Sequence, residues 1–169
     1  MERHIFLIGF MGAGKSSVAR MLCRKYGVSC VEMDQAIVEK EGMPITDIFE
    51  KHGEAYFRQL ETDCLLALCE KEACVVSCGG GTVLKEENVT AMKAHGRIFL
   101  LSATPETILE RVKDSKDRPL LNGHMNTEYI AELMEKRREC YEKAADTVIE
   151  TDGKSVDAIS EEILEVMRE

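Results

Sequence analysis

Residues 9–17 read GFMGAGKSS and follow directly on the apolar run IFLI. No other stretch constrains the fold so tightly. Gly9, Gly14, Lys15 and Ser16 stand at the spacing G-x-x-x-x-G-K-[ST], a phosphate-binding loop that works only between a buried strand and the first turn of a helix. Glycine torsions turn successive backbone N–H groups inward and make an anion nest. The helix that follows adds its unpaired N–H groups and the positive end of its dipole. In this pattern Lys15 reaches the β- and γ-phosphates of a nucleoside triphosphate, and the Ser16 hydroxyl ligates the Mg2+ that bridges them. Gly12, Ala13, Gly14 and Ser17 complete the cradle.

The strand–loop–helix order demanded by the motif continues along the chain. Apolar runs suited to buried parallel strands lie at 4–9, 28–32, 74–78, 97–102 and 146–150. Helical spacing places helices at 15–26, 34–41, 45–51, 54–71, 86–95, 105–113, 126–143 and 155–168, and Thr104-Pro105 is a helix start with proline at its first position. Tyr56, Phe57, Leu60, Cys64, Leu65 and Leu68 recur at helical spacing and read as one core face. The alternation predicts an α/β chain with a five-stranded parallel sheet between helical layers. Ligands of such sheets sit beyond the carboxyl ends of the strands. That rule gathers Gly9–Ser17, Glu32–Asp34, Gly79–Gly81 and the segment after Ser102 around one crevice.

The length of 169 residues fits one domain with one core, and 44% hydrophobic with 31% charged residues is a globular balance. A formal net charge of −9 speaks against a nucleic-acid partner. No apolar stretch approaches the roughly 20 residues of a membrane span, and the N-terminus lacks the pattern of a signal peptide. The expected setting is cytoplasmic, with no membrane partner. There are seven cysteines and no C-x-x-C pair, so reduced thiols acting as small hydrophobes are expected rather than zinc or a disulfide framework. His4, His52, His95 and His124 are scattered and receive no catalytic role. The mixed surface and the lack of a coiled-coil pattern point to a monomer.

A phosphate loop alone does not name a reaction. Here the third apolar run, ACVVSC, leads into Gly79-Gly80-Gly81 rather than an aspartate, and no Asn-Lys-x-Asp sequence occurs. Motor ATPases and guanine-nucleotide switches therefore fit poorly, and a small phosphotransferase that closes over its substrate fits well. The polar stretch 114–124, with Pro119 and Gly123, is the candidate for a moving loop. Four elements could serve an acceptor, and each also has a plainer reading. Asp34, at the end of the second strand, could accept a proton or hold Mg2+ through water, or could simply cap the next helix. Arg58 could be a snorkelling surface arginine. The glycine triplet could be a flexible turn, or could let backbone approach a ligand closely. Arg137 could be an exposed helix charge, as its neighbour Arg138 is expected to be.

Taken together, these residues resemble the shikimate kinases over nearly the whole chain. The resemblance is carried by GFMGAGKSS, by DQAIVEKEGMPITDIFEKHGEAYFRQLE, and by CGGG, RPLL and the KR…Y…AD pattern in family order. It implies a three-layer αβα P-loop kinase fold, a single domain over 1–169, a mobile lid about 112–125 and a shikimate-binding region about 33–61. It implies ATP and Mg2+ as cofactors and shikimate as the partner, phosphorylated on its 3-hydroxyl on the way to chorismate. Under it, Asp34 takes the hydroxyl proton, and Arg58 and Arg137 fork the carboxylate. Gly79, Gly80 and Gly81 offer backbone groups to the ring, and Phe49 and Phe57 wall it. Glu61 braces Arg58 from one helical turn away. Arg118 neutralises charge on the γ-phosphate from the lid, and Arg111 matches the family's adenine-stacking arginine. The family carries Asp-x-Asp after the second strand; here the first position is Glu32, whose longer carboxylate could still reach Mg2+ through water. The competing readings are a related small kinase acting on gluconate or a nucleoside monophosphate, and a non-catalytic nucleotide-binding regulator.

Overall fold

The structure is a computed structural model that describes residues 1–113 and 126–169. Five strands form one parallel sheet in the order β2-β3-β1-β4-β5: β1 His4–Ile8, β2 Cys30–Glu32, β3 Val75–Ser77, β4 Gly96–Ser102 and β5 Thr147–Glu150. The register aligns Phe6 with Val76 on one side and Ile98 on the other. Successive residues of a strand face opposite sides, and all five residues of β1 are buried, so helices cover both faces. Phe6, Phe99, Ile5, Leu7 and Leu101 are the heart of the core. Burying each such side chain contributes about 1.5–3 kcal/mol.

The helices are α1 Lys15–Tyr26, α2 Met33–Glu41, α3 Ile45–Cys69, α4 Glu86–His95, α5 Pro105–Val112, α6 Thr127–Ala144 and α7 Val156–Arg168. Helix α3 corresponds to the two helices expected at 45–51 and 54–71. It bends at Gly53, whose φ of 84° and ψ of 172° lie outside the helical region. Across the bend, Ile37, Ile48 and Phe57 close a small core of their own, separate from the main one. A short 3-10 turn at Thr82–Leu84 follows the glycine triplet; three residues are too few for any periodicity to announce.

One expectation is corrected, and one of two open readings is closed. Tyr56 does not join the core: it is 39% exposed, donates its hydroxyl to Glu41 at 3.0 Å and stacks on His52. The buried stripe runs instead through Phe57, Glu61, Leu65 and Leu68, and a residue one position from that stripe is turned by about 100°. Asp34 is not the cap of α2. The helix starts at Met33 with Glu32 at the cap position, leaving Asp34 in the first turn.

The sheet order makes β1 the point of reversal. The chain moves from β1 out to β2, back to β3 beside β1, then across to β4 and β5. Crevices open where strand order reverses, and the loop 9–14 leaves the end of β1 there. No helix among the described residues is long and apolar enough to cross a membrane.

Candidate active site

The phosphate loop is built as its glycines require. Gly14 has φ of 98° and stands at the start of α1, in a region that L side chains rarely adopt. Ala13 is buried and returns its N–H to the Phe10 carbonyl at 3.1 Å. Lys15 Nζ lies over the loop and donates to the carbonyls of Gly9 at 2.5 Å and Phe10 at 3.2 Å. Ser16 and Ser17 occupy the first turn of α1. Arg111, in the last turn of α5, donates from Nη1 to the Gly12 carbonyl at 3.0 Å, which ties α5 to the rim of the loop. Beside it, Phe10, Ala13, Ile108, Met134 and Tyr141 share the wall of a cleft of about 360 Å³.

The glycine triplet that ends β3 faces a different functional side chain at each position. A methyl group built on Gly79 would lie 2.6 Å from Glu61 Oε2 and 2.8 Å from Asp34 Oδ1. One on Gly81 would lie 2.5 Å from Arg58 Cζ. One on Gly80 would lie 3.4 Å from Arg137 Nη1 and 3.8 Å from Tyr141 Oη. Side chains at Gly79 or Gly81 would collide with this set. The triplet is therefore an approach surface rather than a slack turn. Asp34, Arg58 and Arg137 come from three separate helices, α2, α3 and α6, and meet here.

Arg58 is held from two sides. Its Nη1 donates to Glu61 Oε1 at 2.6 Å and its Nη2 to Glu54 Oε1 at 3.3 Å. The guanidinium also lies over the Phe57 ring, 5.4 Å from its centroid, and Phe49 packs on Phe57 with ring centroids 5.0 Å apart. With its side chain 14% exposed, Arg58 is no freely solvated surface charge. Glu61 is 1% exposed and takes a further hydrogen bond from Thr82 Oγ1 at 3.3 Å. Burial pushes the Glu61 carboxyl above the usual carboxylate range, and the nearby Asp34 adds to the rise; Arg58 and Thr82 pull the other way. Asn88 in turn fixes Thr82 by donating to its carbonyl at 2.9 Å.

Two expected participants stand differently. Glu32 points to Arg20, with 3.4 Å between Oε1 and Nη1, and its side chain is 37% exposed. Arg118 and most of the expected lid lie outside the described residues. Sequence reasoning gave no role to Tyr141, although its hydroxyl donates to the Gly80 carbonyl at 2.5 Å. The signal was present in the spacing, because Tyr141 stands one helical turn beyond Arg137 on the same helix. Nor was Thr82 anticipated: only the turn that follows the triplet brings it under Glu61.

A model of the shikimate kinase family matches residues 11–168. The shikimate kinase of Geobacter metallireducens is 42% identical over 161 residues, covering 95% of this chain and 89% of its own length. Among solved structures, the shikimate kinase of Acinetobacter baumannii in complex with shikimate superposes with a TM-score of 0.93 at 33% identity, covering 98% of this chain and 93% of the other. That of Aquifex aeolicus gives a TM-score of 0.84 at 41% identity, covering 98% and 96%.

Proposed function

The chain belongs to the shikimate kinase family, and we propose that it moves the γ-phosphoryl group of ATP to the 3-hydroxyl of shikimate, giving shikimate 3-phosphate and ADP. One observation carries this reading: two guanidinium groups and a carboxylate converge on a glycine triplet beside a phosphate-binding loop. A planar carboxylate fits the arginine forks of Arg58 and Arg137. With the acid held there, its alcohol faces Asp34, which accepts the hydroxyl proton as the oxygen attacks the γ-phosphorus in line. The N–H groups of residues 12–17 and Lys15 hold the phosphate tail and take up charge as it builds on the phosphate oxygens.

Bound Mg2+ supplies a further positive charge to those oxygens. Its hard oxygen chemistry suits the Ser16 hydroxyl and a water-bridged Glu32, and this ion needs only one or two protein oxygens when phosphates fill other positions. Glu32 must leave Arg20 to serve. Arg118 is assigned from the lid as the cation that closes over the γ-phosphate, and Arg111 as the flank of the adenine. Phe49 and Phe57 wall the ring and keep water from the reacting oxygen.

A coupled assay of ADP release across shikimate, gluconate and nucleoside monophosphates tests the reading. Turnover with shikimate alone is expected. Turnover of gluconate or a nucleotide with shikimate inert overturns it.

A further inference from the structure

All three carbonyls of the glycine triplet are committed. The Gly79 carbonyl accepts from Thr82 N, and the Gly81 carbonyl from Leu84 N, each at 3.1 Å. Those two bonds close the 3-10 turn. Gly80 lies between them, and its carbonyl has a long-range partner, the Tyr141 hydroxyl at 2.5 Å. Tyr141 is 6% exposed, and its ring helps to wall the cleft beside the phosphate loop. The Arg137 guanidinium flanks the same glycine: a methyl group built on Gly80 would have Arg137 Nη1 at 3.4 Å and Tyr141 Oη at 3.8 Å.

A phenol has one hydrogen to give and lone pairs to receive with. Here the hydrogen goes to Gly80, and the Arg137 guanidinium approaches the same glycine. We propose that Tyr141 is a positioning residue: one hydroxyl holds the Gly80 peptide beside the Arg137 guanidinium in register, and thereby tunes the glycine triplet for a carboxylate-bearing acceptor. The inference rests on the reading that Arg58 and Arg137 bind the acid. Without the hydroxyl, the Gly80 carbonyl loses its donor, and the Arg137 guanidinium beside the same glycine could take its place. Pairing of those two would draw the guanidinium off the acid and turn a partly negative oxygen toward it. Asp34 and Lys15 are carried by α2 and α1 rather than by α6, so the chemical step is spared.

Tyr141→Phe keeps the ring and removes the hydroxyl. In steady-state kinetics the KM for shikimate is expected to rise roughly 5–50-fold, the range for a buried acceptor losing its donor. Turnover at saturation should fall less than about 3-fold and the KM for ATP should stay within about 2-fold, the signature of lost acceptor binding alone. An unchanged KM for shikimate overturns the proposal, and so does an equal loss for both substrates, which indicates general damage. A crystal structure of the variant gives a readout that needs no activity: Arg137 donating to the Gly80 carbonyl is expected, and an unmoved Arg137 and Gly80 peptide overturns the proposal. If wild-type protein is inert with shikimate, the proposed function falls, while the crystallographic comparison still judges Tyr141. Should Tyr141→Phe fold poorly, 3,5-difluorotyrosine at 141 replaces it. Its more acidic hydroxyl loses the hydrogen as pH rises, so the KM for shikimate should climb with pH where that of the wild type stays level. Parallel profiles overturn the proposal.

Discussion

The two ends of the sheet bury ionisable groups to a similar degree and treat them in opposite ways. At the carboxyl end, Glu61 is 1% exposed and sits against Arg58 and Asp34. At the amino end, His4 and Cys74 are each 3% exposed. There the His4 Nδ1 accepts from Cys74 N at 3.2 Å, which places the ring hydrogen on Nε2, and no carboxylate among the described residues pairs with it. Burial holds His4 below the usual imidazole value, and burial with Cys30 alongside pushes the Cys23 thiol up to about 12. Removal from water acts on both ends. Where no counter-charge is supplied, the groups stay neutral and behave as packing. Where Glu54, Glu61 and Arg58 meet, the Arg58 guanidinium opposes the burial that pushes the Glu61 carboxyl up, and under the proposed function a charged ligand is read there.

The contrast can be broken most forcefully at Asp34. Asp34→Asn keeps shape and hydrogen bonding but removes the base, so turnover should fall about 10²–10⁴-fold with the melting temperature nearly unchanged. Unaltered turnover would reduce Asp34 to a structural first-turn carboxylate. Next in size is Arg58→Lys. An ammonium cannot fork a carboxylate, and the KM for shikimate should rise roughly 10–100-fold, the range for a hydrogen bond to a charged group; an unaltered KM rejects the role.

A smaller effect belongs to the amino end. Above about pH 6.5, an imidazole is neutral in both folded and unfolded chains. As pH falls through that value, the unfolded chain takes up a proton that folded His4 refuses, and stability drops until the lowered folded value is reached. The loss cannot exceed about 1.4 kcal/mol per pH unit for one group. Denaturant titrations between pH 7.5 and 5.5 should show this slope, and His4→Gln should flatten it; an equal slope in the variant assigns it elsewhere. Last, the Cys23 thiol should alkylate at pH 8 at least about 10-fold more slowly in the folded protein than in urea, because the thiolate is the reactive form. Equal rates would mean that the amino end is not closed to water.

Much of this was legible in residue order. The strands are near-continuous apolar runs because both faces are covered, so β1 and β4 lie within a residue or two of their expected spans. The second strand is shorter than the run 28–32 suggested, since pairing with β3 extends only over Cys30–Glu32. The phosphate loop was readable because its torsions demand particular residues at fixed spacing. The acceptor side was not readable from spacing alone: Asp34, Arg58 and Arg137 are far apart in sequence and meet only because three helices converge on Gly79–Gly81. Periodicity could not separate Tyr56 from Phe57, because the outcome depended on where the helix axis lay after Gly53. It set Tyr141 one turn beyond Arg137 but could not reveal its partner, a backbone carbonyl 61 residues away.

The bend at Gly53 and the separate cluster of Ile37, Ile48 and Phe57 have a mechanical consequence. Apart from Met33, which is buried in the main core, helix α2 and the first part of α3 are fastened by a patch much smaller than that core. That flap can breathe by surrendering a handful of contacts while the strands stay locked. Amides of residues 33–52 should accordingly exchange with deuterium well before those of β1 and β4, giving a product a way out that leaves the scaffold unmelted.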